Sequence, residues 1–488
     1  MSDGMLLGID EGTTGVKAAL FDQRLQPVGE ARRDKVNRHP EEGWVEQDGE
    51  EVIAAVTEAV AELLDGADGE VVACGLDHQG ESVLAWDSES GKPLSPIVVW
   101  QDKRSQEILD ELTDREEEVK GLSGLPFDPY FSAAKLAWLL RHNDDVIKAR
   151  DEDRLRMGTV DSFLCDRLGA GFATDASTAS RTQLQRIDKP GFDERLCEIF
   201  GVPIDVLPEV RDTAGELGTL SHESWPVELP LRGQVVDQQA ALAGAACVEP
   251  GRVKATYGTG VFVLAHVGEG VPEPAGGLLP TVAWSIDGKV EYALDGGVFA
   301  AGAMLEWMCN QLSIAEDPPA LSELARAAES SAGARVLPGL AGIGAPWWRP
   351  KARAVISGVY GGTTRENVAR AALEGIAWRV ADVVAAIKET SPVETLRVDG
   401  GLTNERLLLQ LQADMIGSPV EAAGADATVL GAAALAAVGA GAVDSLTDLP
   451  EMLPADRRVQ PQQDEDWRSA EHERWRAFVQ ATERLDPI

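Results

Sequence analysis

Apolar and polar positions along residues 6–22, LLGIDEGTTGVKAALFD, form two short apolar runs around a Gly/Thr turn, the pattern of strand, tight turn and strand. The same arrangement returns at 251–268, GRVKATYGTGVFVLAHVG. Two such hairpins half a chain apart predict a duplicated domain. Between them the spacing turns helical at 50–66, 131–143 and 237–247, while VVACGLD (71–77) and SVLAWD (82–87) read as strands. The second half repeats the mixture. It has an amphipathic helix over 364–389, a strand ending in glycines at 396–401, a helix from about Asn404 to Ile416, and a small-residue helix over 427–443 suited to close packing. Residues 454–467 read as a loop leading into a polar terminal helix. This alternation predicts an α/β protein, with an N-terminal domain over 1–248 and a C-terminal domain over 249–488.

A length of 488 residues exceeds what one core holds, and 44% apolar residues can fill two. No apolar run is long enough to cross a bilayer, and the first residues lack the pattern of a signal peptide, so a cytoplasmic protein without membrane insertion is expected. Five widely spaced cysteines (Cys74, Cys165, Cys197, Cys247 and Cys309) form no CxxC pair and read as reduced, buried thiols. The histidines are scattered and show no obvious partners, which turns the search for a general base toward carboxylates. Asp and Glu total 81 against 44 Lys and Arg, and a net charge of −37 argues against nucleic acid as a partner. Any phosphate must then be captured by local donors.

The two hairpin turns are where such donors gather. Backbone N–H groups and Thr hydroxyls converge at Gly12, Thr13 and Thr14 in the first turn, and at Gly258, Thr259 and Gly260 in the second. Glycine in a turn also has a purely conformational explanation. Asp10 either braces its turn or serves a magnesium ion, which takes one or two carboxylates and keeps several waters. Lys17 would neutralise phosphate charge, and Gly400 and Gly401 let a nucleotide approach the backbone. Asp237 stands at the start of a helical run, where it reads as an N-cap; a cap that faces a cleft also serves as a general base. Glu81, Trp100, Gln101, Asp102 and Tyr130 offer the carboxylates and aromatic walls of a polyol site, although Trp100 and Tyr130 read equally well as core aromatics.

The wording of DEGTTGVKAALFD, GKPLSPIVVWQDKRS, GLPFDPYFSAAKLAW, TASRTQL, VVDQQAALAGAACVEPG, TYGTGVF, ALEGIAWR and RVDGGLTNERLLLQLQAD resembles the FGGY carbohydrate kinases, in order and spacing, from about Leu6 to about Val443. The resemblance implies two duplicated ribonuclease H-like domains, as in the actin-like ATPases, around a central cleft. It also implies ATP and Mg2+ as cofactors and a small-molecule polyol or sugar as substrate. Position by position, it makes Asp237 the catalytic base and gives the acceptor to Gln79, Glu81, Trp100, Tyr130, Asp237, Gln238 and Phe262. Gly12, Thr13, Thr14, Lys17, Thr259, Gly302, Gly401, Asn404 and Glu405 fall at ATP, and Asp10 falls near magnesium through water.

Similarity is greatest to the members that phosphorylate glycerol, so transfer from ATP to a primary hydroxyl of glycerol is the expected reaction. Another polyol or a ketose (a tetritol, xylulose, ribulose) is the alternative, and an actin-like ATPase without a sugar substrate is the remote one. Those members read Q-R-E-T where this chain has Gln79-Gly80-Glu81-Ser82, Arg where it has Lys17, and Asn where it has Glu405. Losing the arginine removes a charged donor, typically worth about 1.5–3 kcal/mol, and Gly80 leaves room for a bulkier acceptor. Assembly as a homodimer or homotetramer is left open.

The acidic residues are interspersed among apolar ones rather than gathered in a tail. Such a surface matches a salt-loaded cytosol. Activity and melting temperature should then rise between low salt and molar KCl; full stability without salt counts against that origin.

Overall fold

The structure, a computed structural model, describes residues 4–486 apart from 67–68, 274–275 and 423–425. Among the described residues thirteen strands form one mixed sheet, and its two wings carry the same pattern. In the first wing Pro27–Asp34, Gly15–Phe21 and Met5–Glu11 are antiparallel neighbours, and Val71–His78 and Leu229–Val236 continue in parallel. In the second wing Lys289–Val298, Val261–Gly268 and Gly251–Tyr257 are antiparallel, and Val393–Asp399 and Val420–Ala422 continue in parallel. This order, twice over, is the duplication anticipated from the two hairpins, and it is ribonuclease H-like as the resemblance implies. Between the wings the sheet is continuous at one registered pair, Ala214 with Ile286, beside which the Thr213 N–H donates to Ser285 O at 2.7 Å.

Glycine shapes the first wing. Gly8, Gly75 and Gly233 stand side by side on three adjacent strands, because the register pairs Gly75 with both others. A Cβ on any of them would collide with the backbone of Val429, Ala432 or Leu435–Ala436 in the helix Ala427–Gly439. The sheet thus has a shallow trough, and an alanine-rich helix lies in it at backbone contact. The same helix crosses Asp237–Gly244, where Gly431 faces the Ala240 carbonyl and Gly244 faces the Ala427 carbonyl with no space for a methyl group. A small-residue helix was legible in the sequence; its seat on strands of the other half was not. The boundary at 248/249 is therefore one of chain order, since Ala427–Gly439 packs on first-half strands.

The opposite face of this wing is covered by Gly49–Asp65, whose N-cap Asp48 accepts from the Glu50 and Glu51 N–H groups. Three local expectations need correction. The helix Arg365–Lys388 is buried on nearly every side from Ala371 to Ile387, because Pro318–Ala327, Arg406–Ile416 and the sheet enclose it; its polar face is confined to the first turns. The 454–467 segment is not all loop: Arg457–Val459 pairs with Val420–Ala422 as an edge strand. The helix expected over 237–247 ends at Gly244. All five cysteines are free and buried, as expected.

Close packing at the trough has a measurable consequence. Gly75→Ala should destabilise the protein by about 3 kcal/mol or more, read as a lower urea midpoint, because the methyl group has only backbone to displace. Gly121→Ala, in the helix Glu116–Ser123 with no atom near its added methyl, should be neutral or stabilising by up to about 1 kcal/mol.

Candidate active site

Strand Leu229–Val236 runs directly into helix Asp237–Gly244, which puts Asp237 at the first helical position. Asp237 is not the N-cap read from the sequence: Val236 holds that position and makes no side-chain cap. Asp237 Oδ1 instead accepts from the Gln238 N–H at 2.7 Å, and the positive end of the helix favours the carboxylate form. Burial pushes its pKa above the ordinary carboxylate range, while His78, Lys254, the Gln238 N–H and Arg181 pull it back. A carboxylate raised in this way is a stronger base than an exposed one, which suits proton transfer.

Around it, carboxylates from both wings converge. Asp10 and Asp77 are direct neighbours across the parallel pair Met5–Glu11 and Val71–His78. Burial and the charges of Asp426, Asp237 and Glu11 drive Asp10 upward, and burial with Asp10 beside it drives Asp77 higher still. Asp10 and Asp77 act on each other both through charge and through a hydrogen bond between their carboxyl groups, which lowers Asp10 and raises Asp77; Asp77 has no other side-chain or backbone partner. On the second wing Asp399 is the register partner of Thr256, the position equivalent to Asp77 opposite Asp10. Lys254 lies among them, donating to Gln238 Oε1 at 2.7 Å and paired by charge with Asp399, Asp237 and Asp295.

The two turns flank this cluster. Thr13 Oγ1 accepts from Trp100 Nε1 at 2.9 Å, and Thr13 O accepts from Gln47 Nε2 at 2.7 Å, which fixes the first turn and leaves Thr14 exposed. The second turn is gripped by the start of helix Gly302–Asn310: Gly302 N–H donates to Gly258 O and Ala303 N–H to Thr259 O, both at 3.1 Å. Gly258 and Thr259 stay exposed. Gly302 is needed there for a different reason from nucleotide contact, since a Cβ would lie 2.7 Å from Gly258 O. Gly401 has open space where a Cβ would stand, beside exposed Asn404, whereas Glu405 caps helix Arg406–Ile416 and pairs with Arg326. Lys17 is held between Glu30 and Asp426 at 3.0 and 3.4 Å.

On the acceptor side, Glu81 adopts a left-handed backbone (φ 58°), a strain on the order of 1–3 kcal/mol for a residue with a Cβ. Ser132 Oγ donates to its carbonyl at 3.3 Å, and Arg181 Nε donates to its carboxylate at 2.7 Å. Trp100 and Tyr130 are half-buried and meet edge to face at 5.4 Å, so they form a wall rather than core. Lys135, wholly buried and lowered to about 7 by that burial, donates to the Tyr130 and Phe131 carbonyls and holds this loop. Phe262 is half-buried on the second wing. Gln79 is fully engaged with Glu11, Gln47 and Ser82, and Asp102 with Val45 N–H and Arg104, so both brace the site from behind.

Sequence reading missed Arg181, Lys254, Asp77, Asp295 and Asp399. The duplication held one signal, because Asp77 and Asp399 end equivalent strands. The histidines read as partnerless also have partners: His78 Nε2 lies 2.9 Å from Thr178 Oγ1, and His266 Nε2 lies 2.6 Å from Glu291. Larger cavities, such as one of about 370 Å3 lined by Trp378, Trp467 and Trp475, lie away from these carboxylates. A space of about 10 Å3 is enclosed by Glu81, Arg181, Asp237 and Asp295.

Duplicated wings of one sheet, each with a Gly/Thr turn, define the actin-like two-domain class. The chain belongs to the FGGY family of carbohydrate kinases: the N-terminal domain model of that family matches residues 5–244 and the C-terminal one residues 253–440. Among curated relatives it is 38% identical to the glycerol kinase of Halorhodospira halophila over 98% of this chain and 96% of the relative. It is 39% identical to the glycerol kinase of Thermococcus onnurineus over 98% and 97%. Among solved structures, Plasmodium falciparum glycerol kinase with ADP superposes with a TM-score of 0.92 at 30% identity, covering 98% of both chains. A gluconate kinase from Lactobacillus acidophilus shares the fold at 21% identity, with a TM-score of 0.89 over 99% and 98% of the two chains.

Lys254 gives a test of the electrostatics. Its charge lowers the Asp237 pKa, so Lys254→Met should raise that pKa and shift the acid limb of kcat to higher pH, by on the order of one unit. Initial rates from pH 5 to 9 would read it; an unmoved limb would detach Lys254 from the base.

Proposed function

We propose that this protein transfers the γ-phosphoryl group of ATP to a primary hydroxyl of glycerol, giving glycerol 3-phosphate. The observation that carries the reading is Asp237, a half-buried carboxylate with a raised pKa at a helix start, lining a small space with Glu81 and Arg181. The glycerol kinases at 37–39% identity over nearly the whole chain support the choice of acceptor. Asp237 accepts the hydroxyl proton as the oxygen attacks, and the donors of the Gly12–Thr14 and Gly258–Gly260 turns hold the phosphates in line. Trp100, Tyr130 and Phe262 wall the acceptor and exclude water, which limits wasteful hydrolysis. Lys254 offsets charge from the second wing.

The crowd of buried carboxylates fits a magnesium ion held on the nucleotide. Asp10 would hold it with Asp77 behind, the Asp77 oxygens, which have no partner besides Asp10, gaining a positive neighbour. Among the described residues no group of three or more His, Cys, Asp or Glu side chains is arranged to hold a metal ion, so phosphates and water would have to complete the shell. When bound, the ion supplies charge neutralisation between the phosphates. Residence in the cytoplasm belongs to the same reading.

One observation favours a second acceptor. Gly80 brings no guanidinium to the acceptor; a Cβ there would stand 2.6 Å from Val236 Cγ2 and 4.0 Å from Asp237 Oδ1, so Val236 fills part of the space that the missing side chain leaves. A panel of glycerol, erythritol, threitol, xylulose, ribulose and gluconate, assayed for ADP release, tests the choice. Glycerol should give the highest kcat/KM, and Asp237→Asn should cut kcat about 100- to 10,000-fold without weakening ADP binding. A preference for a tetritol or ketose would reassign the acceptor. A near-normal rate in Asp237→Asn would remove the base.

A further inference from the structure

Arg181 follows the short helix Ala176–Ser180 and is 5% exposed. Its Nε donates to Glu81 Oε1 at 2.7 Å, and its Nη2 lies 3.1 Å from Asp295 Oδ2. The third nitrogen, Nη1, has no partner, and neither does Asp295 Oδ1. Both residues line the enclosed space that also contains Asp237, Gln238, Leu264 and Thr281. Buried donors and acceptors are rarely left unpaired, so this pair calls for a ligand group.

The chemistry of that group is narrow. It must accept from a guanidinium N–H and donate to a carboxylate oxygen, and the space of about 10 Å3 takes one oxygen-sized group. A hydroxyl does both; a carbonyl oxygen only accepts, and a methylene does neither. We propose that Arg181 and Asp295 form the subsite for a second hydroxyl of the acceptor, the one adjoining the hydroxyl that Asp237 deprotonates. They therefore select a vicinal diol. The inference rests on the acceptor reading above and adds two residues to it.

Gly80 fits the same picture. A Cβ on Gly80 would stand 2.6 Å from Val236 Cγ2 and 4.0 Å from Asp237 Oδ1, so a long side chain would enter the acceptor space from this side. With glycine there, the guanidinium in the site comes from Arg181, held by two carboxylates and lying 5.5 Å from the Phe131 ring centre.

A cycle between enzyme and substrate tests the subsite. Glycerol and 1,3-propanediol share both primary hydroxyls and differ in the middle one. Wild-type kcat/KM should favour glycerol by roughly ten- to a hundredfold, the usual effect of a hydrogen bond to a charged group. In Arg181→Lys and in Asp295→Asn most of that advantage should vanish, mainly through KM for glycerol; kcat/KM for 1,3-propanediol should fall less than that for glycerol in both variants, and more in Arg181→Lys, which also loosens Glu81. ADP binding by calorimetry should be unaltered. Equal losses with both acceptors would make the pair a structural brace and overturn the inference. If Arg181→Lys fails to fold, the near-isosteric Asp295→Asn carries the same comparison. A wild-type enzyme that binds ADP yet phosphorylates neither compound would sink the glycerol reading, an outcome distinct from a retained preference in the variants.

Discussion

The fold depends on one backbone contact, the seating of Ala427–Gly439 in the glycine trough of the first wing. Three glycines in register remove the side chains that would hold a helix about 10 Å above the strands, and alanines on the helix complete the approach. Such a surface has almost no freedom to slide, because displacement in any direction meets backbone rather than flexible side chains. The same helix presses on Asp237–Gly244 through Gly431 and Gly244. The position of Asp237 is thus set by backbone contacts with the sheet and with a helix from the far end of the chain. For the proposed base such precision matters, since misplacement of a reacting group by about 1 Å can cost a hundredfold in rate.

Electrostatics impose the second constraint. A net charge of −37 repels nucleotide and phosphate at long range, yet the cleft itself gathers carboxylates. Asp10, Asp77, Asp237 and Asp399 are all raised by burial, so the carboxylates together resist full ionisation. Lys254, Lys135 and Arg181 are buried counter-charges that reduce this cost without leaving a free cationic surface. Recognition of an anion then falls to oriented N–H groups and hydroxyls at the two turns, which bring no net charge of their own. An acidic protein can in this way hold an anionic nucleotide.

Much of this was legible in the sequence because the features that define the fold are local. The two hairpins, the strand ending in glycines and the small-residue helix each occupy fewer than twenty consecutive residues, and period alone reveals them. What escaped has a common physical reason: it lies in contacts between distant segments. Arg181 meets Glu81 and Asp295 across a hundred residues either way, and no local pattern marks it. Arg365–Lys388 looked amphipathic because its first turns are polar; tertiary packing buried the rest. The edge strand Arg457–Val459 is three residues long, too short for any period to register. Glu405 shows the reverse case, a residue placed at the nucleotide by likeness whose carboxylate is occupied as a helix cap.

Glu81 links these constraints to selectivity. Its left-handed backbone is strained, and strain persists only where neighbours over-determine it. Ser132 and Arg181 are those neighbours, one on the carbonyl and one on the carboxylate. Arg181 therefore divides one guanidinium between two duties: Nε holds Glu81 in place, and Nη1, which has no protein partner, is the nitrogen proposed for the acceptor. A substitution that kept the charge but shortened the fork would satisfy the first duty in part and forfeit the second, because lysine offers a point charge where arginine offers separate N–H directions. Gly80 next to Glu81 is compatible with that strained turn and clears the opposite wall. Acceptor selectivity in this chain is thereby carried by a residue a hundred positions from the turn it serves, and a turn sequence without arginine is no sign of a site without a guanidinium.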